Sequence, residues 1–349
     1  MRVKLEDVCE RASSNLKQSD IIDKNGDYPI YGASGYIGSV DFYHQDKPYV
    51  AVVKDGAGIG RTTLHPAYSS VIGTMQYLLP KDNVLPKYLY YVVKYMHLEK
   101  YFTGATIPHI YFKDYKYEEF NLDKIDRQRE IIDSLGKIEN VIEKRQQELD
   151  KLDELVKARF VEMFGDPESN SMGWHEDALS EHLSVIGGYA FKSDLFDEIK
   201  GVPILRIGNI NAGFFKPINM VYWKKDKKLE RYSIYPGDLV MSLTGTVGKD
   251  DYGNVCIMDD SFEMYYLNQR NAKLELQESI NKYYLSYLLK FEQIKAKLTG
   301  ISRGVRQANI SNKDILNLVV PIPPIELQNQ FATFAKQIDK SKFIYKKEL

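Results

Sequence analysis

The sequence predicts an α+β chain built from two repeated mixed α/β units, each leading into a long helix. Three matches between the halves carry that prediction. Residues 110–149 align without a gap with residues 310–349 at eight identities: Ile110/Ile310, Lys113/Lys313, Asp114/Asp314, Ile125/Ile325, Gln128/Gln328, Ile138/Ile338, Glu148/Glu348 and Leu149/Leu349. YLYYVVKYMHLEKYFTGAT (88–106) aligns with YLSYLLKFEQIKAKLTGIS (284–302), now 196 apart instead of 200. AGIGR (57–61) resembles GTVGK (245–249), 188 apart. Loop insertions in a second copy produce that drift.

The first unit opens with strand-like stretches, YPIYG, YVAVV and MQYLL, bounded by Gly, Pro and Asp. In the second unit VPILRIG, DLVMSL and NVCIM take their place. Tyr88–Gly104 and Tyr284–Gly300 carry apolar residues at helical spacing and close on Thr-Gly, a helix with a glycine stop. VVPIPP (319–324) is extended, because proline fixes φ and donates no hydrogen bond.

A long helix is predicted from about Lys124 to Phe164. Its seam runs Ile131, Leu135, Ile138, Ile142, Arg145, Leu149, Leu152, Val156, Arg159 and Met163, in steps of four and three. At 1.5 Å per residue such a helix spans roughly 60 Å and reads as a strut. GDPESNSMG (165–173) breaks it and links the halves. The second helix carries a rougher seam, Leu327, Phe331, Phe334, Ile338, Ser341 and Tyr345, and looks short beside the first.

A length of 349 residues with 44% apolar content suits two domains with real cores. The net charge of −1 gives no global attraction to nucleic acid or membrane, so anion binding has to come from local clusters. Cys9 and Cys256 have no partner at metal-ligand spacing, which fits a reducing compartment. MRVKLEDVCE has no apolar core for a secretion signal, and no window approaches a membrane span. A soluble cytoplasmic protein is expected.

No catalytic constellation is legible. KDGAGIGRTT (54–63) lacks the spacing and the lysine of a phosphate loop, so its glycines read as a tight strand-to-strand turn. The six histidines show no zinc motif, and neither G-x-S-x-G nor an Asn-Pro-Pro-Tyr-type methyltransferase motif is present. Neither a catalytic nor a metal residue is assigned. Local basic windows are more informative. Residues 281–320 hold seven basic side chains against two acidic, and SRGVRQANIS (302–311) combines Arg, Gln and Asn, which suit guanine and adenine edges. The competing reading is a polar loop contacting water.

YPIYGASGYIG (28–38), VVKDGAGIGR, AFKSDLF with VPILRIGNI, YPGDLVMSLTGTVG and VVPIPPIELQNQF, in this order and with the duplication, resemble stretches of the DNA-recognition (specificity) subunits of type I restriction-modification enzymes. The resemblance covers the whole chain. It implies two target-recognition domains, each reading half of a bipartite double-stranded DNA target, joined by two long helices in an antiparallel coiled coil. The corresponding segments are 1–122, helix 123–164, linker 165–173, 174–322, and helix 323–349. It further implies a non-catalytic subunit that binds two methyltransferase subunits and the endonuclease/translocase subunits. S-adenosylmethionine, ATP and Mg are then expected only on those partners. Two departures stand out: the second helix is short, and NLDKIDR replaces the proline-rich lead-in in the first unit.

Candidate DNA contacts are Lys54, Arg61, Thr62, His65 and His109 in the first unit. In the second they are Lys192, Lys249, Arg270, Arg303, Arg306, Gln307 and Asn309. The candidate partner and coiled-coil seam comprises Ile131, Leu135, Ile138, Ile142, Leu149, Leu152, Val156, Met163, Phe331, Phe334, Ile338 and Tyr345. Two other function classes are weighed: an enzyme acting alone, separable by a methylation assay on the isolated chain, and a coiled-coil scaffold without base readout. The scaffold explains the heptads but leaves the tyrosine-rich domains and the Arg/Gln/Asn loop without purpose.

Overall fold

The computed structural model describes residues 1–21, 25–104, 108–249, 251–300 and 307–347, with the backbone alone at Gln307 and 343–347. Two compact units divide the chain, Met1–Glu143 and Lys144–Leu349.

Unit 1 holds nine strands among its described residues: β1 (Arg2–Lys4), β2 (Cys9–Ser13), β3 (Tyr28–Gly32), β4 (Gly35–Val40), β5 (Tyr49–Val53), β6 (Thr62–His65), β7 (Ser70–Val71), β8 (Met75–Pro80) and β9 (Glu119–Asn121). Unit 2 continues with β10 (Glu176–Ala178), β11 (Leu183–Gly187), β12 (Val202–Leu205), β13 (Tyr222–Trp223), β14 (Ser233–Ile234) and β15 (Leu239–Ser242). It is completed by β16 (Thr244–Thr246), β17 (Val255–Ile257), β18 (Tyr265–Leu267), β19 (Asn271–Leu276), β20 (Gln307–Asn309) and β21 (Val319–Pro321).

The two units share one topology. Unit 1 builds a four-stranded antiparallel sheet in the order β2-β8-β5-β6, and unit 2 repeats it as β11-β19-β15-β17. In both, a second small sheet pairs one strand antiparallel to its neighbour and parallel to a later one: β3 with β4 and β7, β12 with β13 and β18. Unit 2 adds β14 to that sheet. A two-stranded ribbon, β1 with β9 or β10 with β21, carries the chain into the long helix of each unit.

The duplication extends to individual side-chain hydrogen bonds. Gln128, fully buried, accepts from Leu85 N at 2.8 Å and donates to Asn83 O at 3.0 Å and Asp123 O at 2.9 Å. Gln328, equally buried, accepts from Asn281 N at 2.8 Å and donates to Pro323 O at 2.7 Å and Ser279 O at 3.4 Å. Each partner pair lies 196 or 200 residues apart, the offsets read from the sequence. Tyr88 donates to Asn121 O and Tyr284 to Pro321 O. Tyr91 donates to Glu139 and Tyr287 to Asp339. The lead-in without prolines therefore builds the same junction as the proline-rich one.

The third sequence match is corrected by the strand register. Gly60 N donates to Val53 O and Val53 N to Arg61 O, just as Gly253 N donates to Ser242 O and Ser242 N to Asn254 O. Arg61 thus corresponds to Asn254, and the pairing of AGIGR with GTVGK is a chance likeness. Unit 2 carries a longer turn at this place. Gly60, with φ at 81°, occupies the turn because a Cβ there would lie 2.5 Å from Glu99 N.

The first long helix spans Ile125–Phe164 and the second Ile325–Lys347. Residues 125–143 of the first belong to unit 1 and 144–164 to unit 2. Within unit 2 the helices run antiparallel: Phe160 and Phe164 meet Phe331, with ring centroids 5.3 and 5.5 Å apart, while further up the first helix Asp153 receives Lys342 at 2.5 Å. The buried stripe there is Leu149, Val156, Phe160 and Phe164. The heptad seam misplaces part of this: Phe160 takes the core, while Leu152 and Met163 are half-buried. A straight helix turns every 3.6 residues and drifts off a strict 3.5-residue seam. Ile131 and Leu135 are half-buried, whereas Ile138 and Ile142 are exposed. In the second helix Phe331 is buried and Phe334 and Ile338 pack at the edge of the core; the Tyr345 side chain lies outside the described atoms. The first helix stops at Gly165, where φ is 78° and a Cβ would lie 2.4 Å from Ser171 Oγ.

Replacing Gln328 by Leu leaves one backbone N–H and two carbonyls without their partner and should destabilise unit 2 by about 2–3 kcal/mol. Gln128→Leu should do the same to unit 1. Urea unfolding followed by circular dichroism tests this, and an unchanged midpoint for both variants would refute the clamp's structural role.

Candidate nucleic-acid interface

In each unit the backbone after the central strand turns outward and pairs with the segment that precedes the long-helix junction. Lys54 N donates to Thr74 O and Ile110 N to Lys54 O, both at 2.9 Å. Leu243 N donates to Arg270 O and Ile310 N to Leu243 O, both at 2.8 Å. Asp55 bridges His109 in unit 1, and Thr244 pairs with Asn309 in unit 2. These two edges occupy equivalent places in the repeat, but they present different side chains.

In unit 1 the edge is a charged cluster. Asp55 takes Lys54 Nζ at 2.5 Å on one carboxylate oxygen and His109 Nδ1 at 2.6 Å on the other. Burial works against the Asp55 carboxylate, but the hydrogen bonds from Lys54 and His109 outweigh it and hold its pKa below the ordinary value. His109 lies over Tyr111, whose ring also takes Lys113 at 5.5 Å. Arg11, Lys54 and Lys113 line a 210 Å³ hollow beside this cluster with Ser13, Gln76 and Tyr111.

In unit 2 the corresponding edge is longer, and its β16–β20 ribbon carries no charged residue. β16 and β20 pair Thr244 with Asn309 and Thr246 with Gln307. Arg270, exposed, joins at the position equivalent to Thr74. It also borders a 540 Å³ cleft lined by Phe191, Ser193, Arg206, Asn219 and Gln269. Lys192, exposed, sits between two of those residues, and Lys249 lies in the turn after β16.

The sequence-predicted residues separate into three groups. Lys54 and His109 come together in unit 1; Arg270, Gln307 and Asn309 lie along one backbone edge in unit 2, with Lys192 and Lys249 at its borders. Arg61 is exposed but donates to Ala33 O at 2.8 Å, away from the Asp55 cluster. Thr62 and His65 are buried, so their side chains meet protein and not solvent. Arg303 and Arg306 lie outside the described residues. Sequence reasoning missed Asp55, Tyr111 and Thr244, which the repeat places beside residues it did select. Asp55 was legible as the acid next to a selected lysine.

Neither thiol suits nucleophilic chemistry: burial pushes Cys9 and Cys256 up to about 12. Among the described residues no helix is long and apolar enough to cross a membrane.

Comparison with known proteins settles the family. The profile of the type I restriction modification DNA specificity domain matches residues 1–154 and again 172–349. The chain belongs to this family. It is 27% identical over 319 residues to the type I restriction enzyme MjaVIII specificity subunit of Methanocaldococcus jannaschii, covering 86% of this chain and 74% of that protein. It is 28% identical over 175 residues to the EcoBI specificity subunit of Escherichia coli, covering 48% of this chain and 34% of that one. The crystal structure of the type I S subunit from M. genitalium shares the fold, with a TM-score of 0.58 at 18% identity, over all of this chain and 91% of that one. Two specificity domains thus account for the two units.

The buried His65 yields a pH prediction. Its Nε2 meets Thr63 Oγ1 at 2.7 Å, its ring stacks on Tyr49, and burial lowers its pKa from 6.5 to about 4. Between those values the folded state binds fewer protons than the unfolded chain. The favourable contribution is therefore complete above about pH 6.5 and is lost as pH falls toward 4, by roughly 3 kcal/mol. Unfolding of unit 1 should become easier across that window, and His65→Phe should flatten the dependence. Identical pH profiles for the two proteins would contradict it.

Proposed function

We propose that each unit reads one half of a bipartite double-stranded DNA target with the strand edge described above. The observation that carries this is the edge itself: one backbone scaffold, made twice, with different side chains. Asp and Glu accept from cytosine, Asn and Gln pair with adenine, and Lys and Arg with guanine, so Lys54–Asp55–His109 and Arg270–Gln307–Asn309 suit different sequences. The exposed lysines at the borders, Lys192 and Lys249, would contact phosphates and position the protein. Arg303 and Arg306 remain candidates on sequence grounds.

In this reading the chain contributes recognition, not catalysis, and assembles with the other subunits of a type I restriction-modification system. Two methyltransferase subunits and the endonuclease/translocase subunits would carry S-adenosylmethionine, ATP and Mg. Methylation of a base inside a duplex requires flipping it out, and that step belongs to the methyltransferase.

The test is reconstitution with the methyltransferase encoded beside it, followed by genome-wide mapping of modified adenines. One split motif with a fixed spacer is expected. Substituting Gln307 and Asn309 by Ala should relax one half of the motif, and Lys54→Ala with His109→Ala the other, with losses of about 1–3 kcal/mol per base contact. Methylation without a consensus, or a change in both halves from either substitution, would overturn the assignment.

A further inference from the structure

The hollow beside the unit 1 edge is polar where the second copy is apolar. Arg11, Lys54 and Lys113 line it together with Ser13 and Gln76. Strand register fixes what stands at each of these places in unit 2. Arg11 pairs with Leu78 and Ser13 with Gln76, as Val185 pairs with Leu274 and Gly187 with Ala272. Leu78 and Leu274 in turn pair with Val50 and Leu239 of the central strands. Unit 2 therefore carries Val185, Gly187, Leu243 and Ala272 where unit 1 carries Arg11, Ser13, Lys54 and Gln76. Leu243 and Ala272 are buried, and Val185 packs against the same core. Of the five, Lys113 alone keeps its charge, as Lys313.

The fold does not require these polar side chains, because its second copy forms without them. Arg11 and Lys113 are exposed, and among the described residues neither is ion-paired to a carboxylate. Lys54 offsets Asp55, so three cations against one carboxylate leave an excess of two positive charges. A hollow lined by one sign of charge concentrates its field on an arriving anion. Ser13 Oγ accepts from Gln76 Nε2 at 3.5 Å, which leaves its own hydrogen to donate. The volume of 210 Å³ equals about seven waters of liquid. That suits one tetrahedral oxyanion with a few waters, held by a guanidinium fork and two ammonium groups.

We propose that this hollow clamps one phosphodiester of the DNA backbone and sets the register of unit 1 along the duplex. The inference rests on the reading of the adjoining Lys54–Asp55–His109 edge as a DNA contact, and it places a phosphate beside the bases read there. Because the equivalent place in unit 2 is apolar, the clamp belongs to one half of the target only.

Arg11→Gln with Lys113→Gln, in the complex reconstituted with the methyltransferase, tests the clamp by fluorescence anisotropy on a labelled duplex of random sequence. A phosphate contact is blind to sequence, so this measurement does not depend on whether the edges read bases. Each phosphate neutralised steepens the fall of log K with log salt by about 0.9. Between about 50 and 200 mM salt the wild-type affinity should therefore fall roughly three- to fourfold further than the variant's. Lys313→Gln, the counterpart of Lys113 without the other cations, is the control and should leave the slope unchanged. Circular dichroism checks that the exposed substitutions leave the fold intact. In a duplex carrying the mapped motif, neutral methylphosphonates introduced one at a time should locate one position in the unit 1 half where the wild type loses affinity and the variant does not. Equal slopes for wild type and variant, an equal loss from Lys313→Gln, or no such position overturns the clamp while the split motif stands. A changed base in the unit 1 half of the motif also overturns it, because Arg11 or Lys113 would then read bases. Calorimetric titration with inorganic phosphate separates the other source: saturation lost in the variant, with equal DNA slopes, would make free phosphate the ligand and overturn the assignment to DNA.

Discussion

A single buried glutamine in each unit fixes how the long helix leaves its domain. Gln128 and Gln328 stand one turn inside their helices, and each reaches back to three backbone groups that neither helix nor sheet can satisfy. One accepted and two donated bonds use both N–H donors of the amide and engage its oxygen. A shorter side chain would not span the junction, and a charged one would bury an ion among carbonyls. Because the partners lie on the loop before the tyrosine-rich helix and on the end of the ribbon, the same residue ties three segments together. The tyrosine bonds from Tyr88 and Tyr284 to the ribbon carbonyl reinforce the tie one turn away.

That division of labour explains how the two strand edges can carry different side chains. Their geometry comes from backbone hydrogen bonds, such as Ile110 N to Lys54 O and Ile310 N to Leu243 O, which do not depend on side-chain identity. Leu243 can replace Lys54, Thr244 replace Asp55 and Arg270 replace Thr74 without disturbing the pairing. A scaffold held by main-chain bonds and by a distant glutamine allows the side chains of the edge to change while the domain persists.

The sequence made the repeat legible where side chains do structural work that no other residue type performs. The two glutamines and the tyrosines at 88 and 284, 91 and 287 were already aligned by identity. It misled where short patterns recur by chance: a β-branched residue, glycine and a cation in a row arise readily in turns, and only strand register shows that Arg61 matches Asn254. His65 and Thr62 look like readers because they are polar and follow a glycine turn, but, three positions apart on β6, they lie on its opposite faces and both are covered: His65 packs against Tyr31 and Tyr49 with its Nε2 on the Thr63 hydroxyl, and the Thr62 hydroxyl donates to Gly60 O. The heptad seam failed at Phe160 for a related reason. Periodicity predicts which face is apolar, and an aromatic pocket on the neighbouring elements decides which residue fills it.

The net charge of −1 acquires a physical meaning at the unit 1 edge. Lys54 is not an idle cation, because it already holds Asp55, which also holds His109. In the proposed reading a base approaching this cluster exchanges one pairing for another, so the gain in free energy is small while the penalty for a mismatched edge is large. A wrong partner leaves part of a half-buried triad unpaired, which costs more than a correct partner gains. Such an edge discriminates strongly and attracts weakly. In the proposed reading affinity is then supplied by phosphate contacts elsewhere, and that share of the binding falls with salt.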